Sequence, residues 1–331
     1  MQAHDVKNVF SMKGGQGESS YLKNSKAQLR DLQMMLYALE ETLDKITIPP
    51  RGPGKLLLTA ADLGCSCGRS SLVVADAIVH NMTNKLCRGK HVDAAAADPE
   101  FCFYFSDLPR NDFNTLFNLL PPHAASSGDG SGRRYFAAAV PGSFHDRLSE
   151  ETGAAFRRQF QSDMARFLRC RAAELKPGGA MFLVFVGRPS SASPTDLGRS
   201  FNLLGAMFEE SWCDLVDEGL IDGGLNIPSY AATLEEFREA VDADGSFAVN
   251  RLEHVMGSRL AVDDDPHDRR AVGRRVANNQ RSIFGPLVEA HVGRALTDEL
   301  FARMERRAEE LSNELVDEMG VHYIVCSLSL V

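Results

Sequence analysis

The chain is short of positive charge and of tryptophan. Its 36 Lys and Arg face 45 Asp and Glu, for a net charge of −9, and Trp212 is the only tryptophan. A nucleic-acid groove needs concentrated Lys and Arg, so the balance argues against that class of partner. The Arg-rich stretches at Arg269, Arg270, Arg274, Arg275 and at Arg303, Arg306, Arg307 are interleaved with acids and read as solvated helix faces. No apolar run approaches the roughly 20 residues needed to cross a bilayer, which argues against a membrane span. Met1 to Phe10 has no basic segment leading into an apolar core, so no signal peptide is evident. The seven cysteines are odd in number and scattered. They form no disulfide framework and suit a reducing compartment, so the expected address is cytoplasmic. No Ser-His-Asp or Cys-His constellation stands out, and His145, His254 and His291 read as structural. There is no internal repeat.

What is present begins with size. At 331 residues and 36.3 kDa, with 44% hydrophobic and 24% charged residues, the chain can bury a large core as one big domain or a core with a cap. The most informative stretch is Ala61-Asp62-Leu63-Gly64-Cys65-Ser66-Cys67-Gly68-Arg69-Ser70. An apolar run, Lys55 to Ala61, leads in, and a helix-like segment, Leu72 to Val79, leads out. This is the strand, glycine turn and helix of a nucleotide-binding α/β unit. Gly64-x-x-x-Gly68 is not the G-x-G-x-x-G of a dinucleotide site, which disfavours a dehydrogenase. It fits the D-x-G-x-x-x-G turn with which methyltransferases hold S-adenosylmethionine (AdoMet). Cys65-x-Cys67 reads as small residues lining that turn rather than as half of a metal site.

Residues 11–17 read as a mobile loop. Ser25 to Lys45 has helical periodicity and is stopped by Pro49, Pro50 and Pro53. Phe101 to Phe105 reads as a buried strand ending at Asp107, and an acid there suits ribose hydroxyls. Residues 123–134 form a Ser- and Gly-rich insertion, followed by a short strand, Tyr135 to Val140. A helix over Ala154 to Leu175 turns at Lys176-Pro177-Gly178-Gly179 into a strand, Ala180 to Val186. Residues 190–285 read as a mainly helical cap. A last helix, Leu296 to Met319, leads into a terminal strand, Tyr323 to Leu330. The expected division is therefore a core of 1–189 and 286–331 with a cap of 190–285.

Several segments together resemble one family. Met12 to Ser25 with Gln28, then Ser106-Asp107-Leu108-Pro109-Arg110-Asn111-Asp112-Phe113-Asn114, then Val140-Pro141-Gly142-Ser143-Phe144 are similar to the three cofactor motifs of the SABATH carboxyl methyltransferases of plants. Asn226-Ile227-Pro228-Ser229-Tyr230 and Gly245-Ser246-Phe247 match landmarks of their cap. Within the family, Ser11 to Gly15, Arg158 to Gln161, Gly179 to Leu183 and Ser327 to Leu330 resemble the members that methylate indole-3-acetate. The resemblance implies a class I AdoMet-dependent methyltransferase fold, α/β and Rossmann-like, with a helical cap, and a homodimer. It also implies roles. Tyr21 and Ser25 hold AdoMet from the amino-terminal loop, and Asp62, Gly64 and Cys65 lie against its methionine and ribose. Ser70 stands where the family usually has asparagine. Asp107 takes the ribose hydroxyls, Leu108 packs on adenine, and Ser143 and Phe144 close the adenine side. Gln28 hydrogen-bonds the substrate carboxylate with Lys13 nearby, and Trp212 and Tyr230 belong to the substrate side.

Such chemistry needs no catalytic base. A carboxylic acid with a pKa near 4 is already ionised at neutral pH, and orientation alone supplies roughly 7–11 kcal/mol. The expected substrate is a small carboxylic acid like indole-3-acetate, with salicylate, benzoate or jasmonate as further candidates. One departure counts against activity. After Leu148 the family continues through several dozen residues that are missing here; they carry a central strand and the His-Trp pair that grips the carboxylate with Gln28. Mg2+, reported for some relatives, has a remnant site at Asn226. The alternative is therefore a truncated, non-catalytic relative that keeps AdoMet binding or dimerises with a complete one.

Overall fold

The computed structural model describes residues 11–48, 56–88, 99–123, 132–141, 152–190, 199–223, 225, 230–257, 265–318 and 320–331. A single turn, α1 (Tyr21–Asn24), precedes α2 (Lys26–Met34) and α3 (Leu36–Lys45). The sequence reads α2 and α3 as one helix, and they break at Met35, with φ −100° and ψ 2°. At the break Met35 is buried with Ala38 against Val325.

The first half of the chain then builds β1 (Leu57–Leu63), α4 (Ser70–Arg88), β2 (Glu100–Asp107), α5 (Phe113–Asn118) and β3 (Phe136–Pro141). These strands form a parallel sheet in the order β1-β2-β3, with Leu57 opposite Glu100 and Cys102 opposite Phe136. Alternation gives the sheet two unlike faces. Leu58, Ala60, Phe101, Phe103, Phe105 and Ala137 pack inward with Leu39, Leu43, Ala75, Val79 and Leu116 of the helices. Among the described residues the opposite face is open: Leu57, Leu63, Tyr104 and Phe136 are 48%, 37%, 41% and 56% exposed.

The second half supplies α6 (Thr152–Glu174), β4 (Ala180–Val186), α7 (Arg199–Asp217), α8 (Leu234–Asp244), β5 (Phe247–Met256), α9 (Arg269–Val292), α10 (Arg294–Glu310), α11 (Ser312–Glu318) and β6 (His322–Leu330). Here the sheet is antiparallel, in the order β4-β6-β5. Met181, Ile324, Cys326 and Leu328 pack against Leu168 of α6 and Phe237 and Val241 of α8. Phe182, Val184, Val325 and Tyr323 face Met35 and Ala38. Helix α8 is well delimited by a capping box between Thr233 and Glu236 and by Gly245 in the left-handed region at φ +71°. Among the described residues β1 and β4 belong to separate sheets, as expected for a sheet that lacks a strand between them.

The packing departs from the expected division at 190 and 285. β5 lies inside the segment read as a cap, yet it pairs with β6. Conversely α10 and α11, assigned to the core, bury Leu300, Met304, Ala308 and Leu315 with Met207 and Leu215 of α7 and Val272 and Val276 of α9. Helical periodicity shows which face of a helix is buried but not which layer buries it. Arg303 is a second departure. It is 8% exposed rather than on a solvated face, and its guanidinium makes a bidentate contact to Glu218 at 2.8 Å through each terminal nitrogen. Arg307 reaches Asp214 at 2.8 Å, so these arginines tie α10 to α7.

Candidate active site

The carboxyl end of β1 runs into the glycine turn. Gly64 has φ +90°, open to glycine at no steric cost, and Ser66 has φ +50°, an uncommon conformation for a residue with a side chain. The turn is held from β2: Gly64 N and Cys65 N both donate to Ser106 O, at 2.8 and 3.2 Å. Asp107 lies at the end of β2. One carboxylate oxygen accepts from Ser66 N and the other from Leu108 N, both at 2.7 Å. An ionised carboxylate has about four acceptor sites, so capacity remains for a pair of hydroxyls. Asn111 closes the circuit by donating to Ser66 O at 2.9 Å. Ser70 opens α4 behind the turn, and its neighbour Ser71 donates to Cys65 O at 2.9 Å.

Tyr21 and Ser25 flank this turn. A Cβ placed on Gly68 would lie 3.3 Å from Tyr21 Cε1 and 3.3 Å from Ser25 Oγ, so the absence of a side chain at Gly68 lets these residues close on the turn. The electrostatics are those of an acidic, enclosed site. Burial pushes the Asp62 carboxyl up; the Ser71 hydroxyl opposes this and the Asp107 charge adds to it. The Tyr21 phenol is pushed up to about 12 by burial and then by Cys67 and Asp107. Burial, with Asp62 and Asp107, also raises the Cys65 thiol, so it is an uncharged packing group. All seven cysteines are free thiols.

Residues 11–17, read as a mobile loop, form no regular element, but they are tied down rather than loose. Lys13 N donates to Ser282 O of α9 at 2.8 Å, Tyr21 N donates to Lys13 O at 2.8 Å, and Gly15 N donates to the Asp112 carboxylate at 2.8 Å. Lys13 Nζ reaches Ser19 Oγ at 2.6 Å. Its ammonium is held below the usual range by burial and then by the Arg281 charge, with Glu289 and Asp298 opposing.

Of the residues expected on the substrate side, Gln28 has a buried Oε1 with no hydrogen-bond partner among the described residues. Tyr230 is held by a polar cluster: its hydroxyl donates to Glu236 at 2.8 Å and accepts from Arg188 at 3.3 Å. Trp212 lies in the core of the helical layer. It is 6% exposed, stacks with Phe208, lies tilted against His291 with ring centroids 5.8 Å apart, and gives its indole N–H to Gly223 O at 2.9 Å. Its ring thus fills the interior between α7 and α9. His254, for its part, stacks on His322 at the edge of the antiparallel sheet. Ser143, Phe144, Asn226 and His145 lie outside the described residues. Among the described residues no group of three His, Cys, Asp or Glu side chains could hold a metal, so no step is assigned to Mg2+. The sequence reading missed Asn111 and Asp112 as site residues. The one signal for Asp112 was an acid three residues before Thr115, the pattern of a helix N-cap.

Comparison with known proteins identifies the family. The model of the SAM-dependent carboxyl methyltransferase family matches residues 7–152 and 148–331. The chain belongs to the SAM-dependent carboxyl methyltransferases. It is 43% identical to indole-3-acetate O-methyltransferase 1 of Oryza sativa subsp. japonica over 97% of this chain and 93% of that protein. It is 41% identical to the Arabidopsis thaliana enzyme of the same name, over 98% and 96%. Loganic acid methyltransferase with SAH shares the fold, with a TM-score of 0.79 over 96% of this chain and 98% of that chain at 24% identity. This is the SABATH family of the motifs above, whose members are AdoMet-dependent carboxyl O-methyltransferases. The missing stretch is visible too. The 383 aligned positions of the rice match exceed the 331 residues of this chain by 52, and the two family blocks meet at 148–152, between β3 and α6. Matches that span nearly all of the relatives' length favour the enzyme over a remnant. No helix among the described residues is long and apolar enough to cross a membrane.

Proposed function

We propose that the chain forms the methyl ester of an indole-3-acetate-like acid, with AdoMet as methyl donor. The observation that carries this substrate is a step in similarity. Two indole-3-acetate methyltransferases stand at 43% and 41% identity, whereas the gibberellic acid, jasmonate and salicylate/benzoate enzymes stand at 28–30%. The residues present fit the donor. Asp107 has capacity for the ribose hydroxyls, Leu108 lies beside it for adenine, and Tyr21, Ser25, Gly64, Cys65 and Ser70 enclose the turn. Buried Asp62 offers a carboxylate to a cationic methionine head. When bound, AdoMet supplies a methyl group already activated on a sulfonium. The protein's part is to orient one carboxylate oxygen and exclude water. Gln28, through its amide N–H donors, and Lys13 are assigned to the acid, with Tyr230 on the wall and Ser143 and Phe144 over adenine. No general base is required, because the acid is ionised at neutral pH.

The helical layer over 199–225 and 269–316 is assigned to the substrate side and the two sheets to the core. A homodimer is part of the proposal by resemblance to the family, and a cytoplasmic address is supported by seven free thiols. The test is direct: incubate the purified chain with labelled AdoMet and a panel of indole-3-acetate, salicylate, benzoate and jasmonate, and titrate AdoMet by calorimetry. Indole-3-acetate methyl ester is the expected dominant product. Preference for another acid rejects the substrate assignment, and cofactor binding without any turnover favours the non-catalytic reading.

A further inference from the structure

Two consecutive residues, Asn111 and Asp112, touch opposite walls of the cofactor site. Asn111 donates to Ser66 O in the glycine turn at 2.9 Å, while Asp112 accepts from Gly15 N in the amino-terminal segment at 2.8 Å. The approach at the second wall is close: a Cβ on Gly14 would lie 2.5 Å from Asp112 Cβ. Asp112 is at the same time the N-cap of α5, with Oδ1 accepting from Thr115 N at 2.9 Å and Oδ2 from the Thr115 hydroxyl at 2.5 Å. The cap alone uses these Thr115 contacts; the bond to Gly15 is extra, and it bridges 97 residues of sequence.

We propose that Asp112 is a positioning residue that fixes the Lys13-Gly14-Gly15 segment at a set distance from the glycine turn, so that this segment closes over bound AdoMet. The proposal rests on the reading of the site as an AdoMet pocket. The ionised form is the one that accepts three donors at once. Burial pushes the Asp112 carboxyl up, but the bonds from Thr115, Gly15 and Asn114 outweigh it and hold it below the usual range. The far end of the segment is fixed independently by Lys13 N to Ser282 O, so the segment spans from α5 to α9 with Tyr21 beneath it.

The two roles of Asp112 can be separated. Asp112→Ser keeps a good cap for α5 but is too short and uncharged to hold Gly15 as well. Gly14→Ala attacks the same contact from the other side and keeps the Asp112 carboxylate that caps α5. Both variants should bind AdoMet about tenfold or more weakly by calorimetry, the scale of a lost hydrogen bond to a charged group, with melting temperatures close to wild type. A second readout is trypsin cleavage after Lys13: AdoMet should protect this bond in the wild type and fail to do so in either variant. Thr115→Val, which weakens the cap but leaves Gly15 bound, should lower the melting temperature without changing cofactor affinity. Asp112→Asn should restore part of the affinity lost in Asp112→Ser. If wild type binds AdoMet and both Asp112→Ser and Gly14→Ala bind it equally well, the positioning role is overturned while the methyltransferase reading stands. If wild type takes up no AdoMet, both fall.

Discussion

The two sheets of this molecule are built to different standards. The antiparallel sheet β4-β6-β5 is covered on both faces, by α6 and α8 on one side and α3 on the other, and several of its residues are fully buried. Among the described residues the parallel sheet β1-β2-β3 is packed on one face, and Leu57, Leu63, Tyr104 and Phe136 on the other are exposed. Yet the parallel sheet carries the glycine turn, Asp62 and Asp107. The two blocks that match the family meet at 148–152, after β3, where a parallel α/β sheet would carry the chain through a crossover to a further strand. Of the residues assigned to the cofactor in the proposal, Asp62, Gly64, Cys65 and Asp107 lie at the ends of β1 and β2 and in the turn between β1 and α4.

This contrast can be broken or sharpened by substitution. The largest effect belongs to the covered sheet: Phe237→Ala, at a fully buried position against Phe185, should destabilise the chain by about 3–5 kcal/mol in urea unfolding. Next comes Asp107→Ala in the parallel half. Its expected effect is a loss of about 100-fold or more in AdoMet affinity by calorimetry, roughly what two hydrogen bonds to a charged group contribute, with folding preserved in the far-ultraviolet spectrum. Equal affinity would remove the cofactor reading.

Asp62→Asn should act in opposite directions on stability and binding. The folded carboxyl is raised above its unfolded value, chiefly by burial, so its contribution to stability is present at low pH and is lost as pH rises through the raised value. The ligand-free variant should therefore melt above wild type at pH 8, and the gap should close as the pH falls towards 4, while AdoMet binds more weakly. A constant gap in a pH series of melting curves would exclude ionisation as the cause. The smallest effect is expected for Phe136→Ser on the open face, within about 0.5 kcal/mol in the same unfolding assay. Its visible consequence should be less self-association in light scattering, because an uncovered apolar face next to a strand edge is adhesive. A destabilisation as large as that of Phe237→Ala would mean that the face is covered in solution.

How much of this could be read from the residues follows the range of the interactions. The glycine turn and the acid at the end of β2 were legible because each is a local pattern: apolar run, turn glycines, apolar run, acid. The strand at Ala180–Val186 was legible for the same reason. β5 was not, since Asn250, Arg251, Glu253 and His254 break its apolar alternation, and a register irregularity between Val249 and Arg251 shifts it further. Arg303 looked like a surface charge because its partner Glu218 lies 85 residues away. Trp212 was assigned to the substrate side as the lone tryptophan of the cap, and only packing could show its ring between α7 and α9. Asp112 was hidden by doing a commonplace task, capping a helix, in addition to the one that reaches Gly15.

The amino-terminal wall of the site is joined to the rest of the molecule across very long stretches of chain. Asn279 donates to Asn24 O over 255 residues, and Tyr323 donates to Asp31 over 292. Contacts of such separation are entropically expensive to close and form late. During refolding from denaturant, AdoMet uptake should therefore lag behind the recovery of helical signal, and the newly made chain acquires an enclosed pocket only after α9 and β6 have been synthesised and have docked.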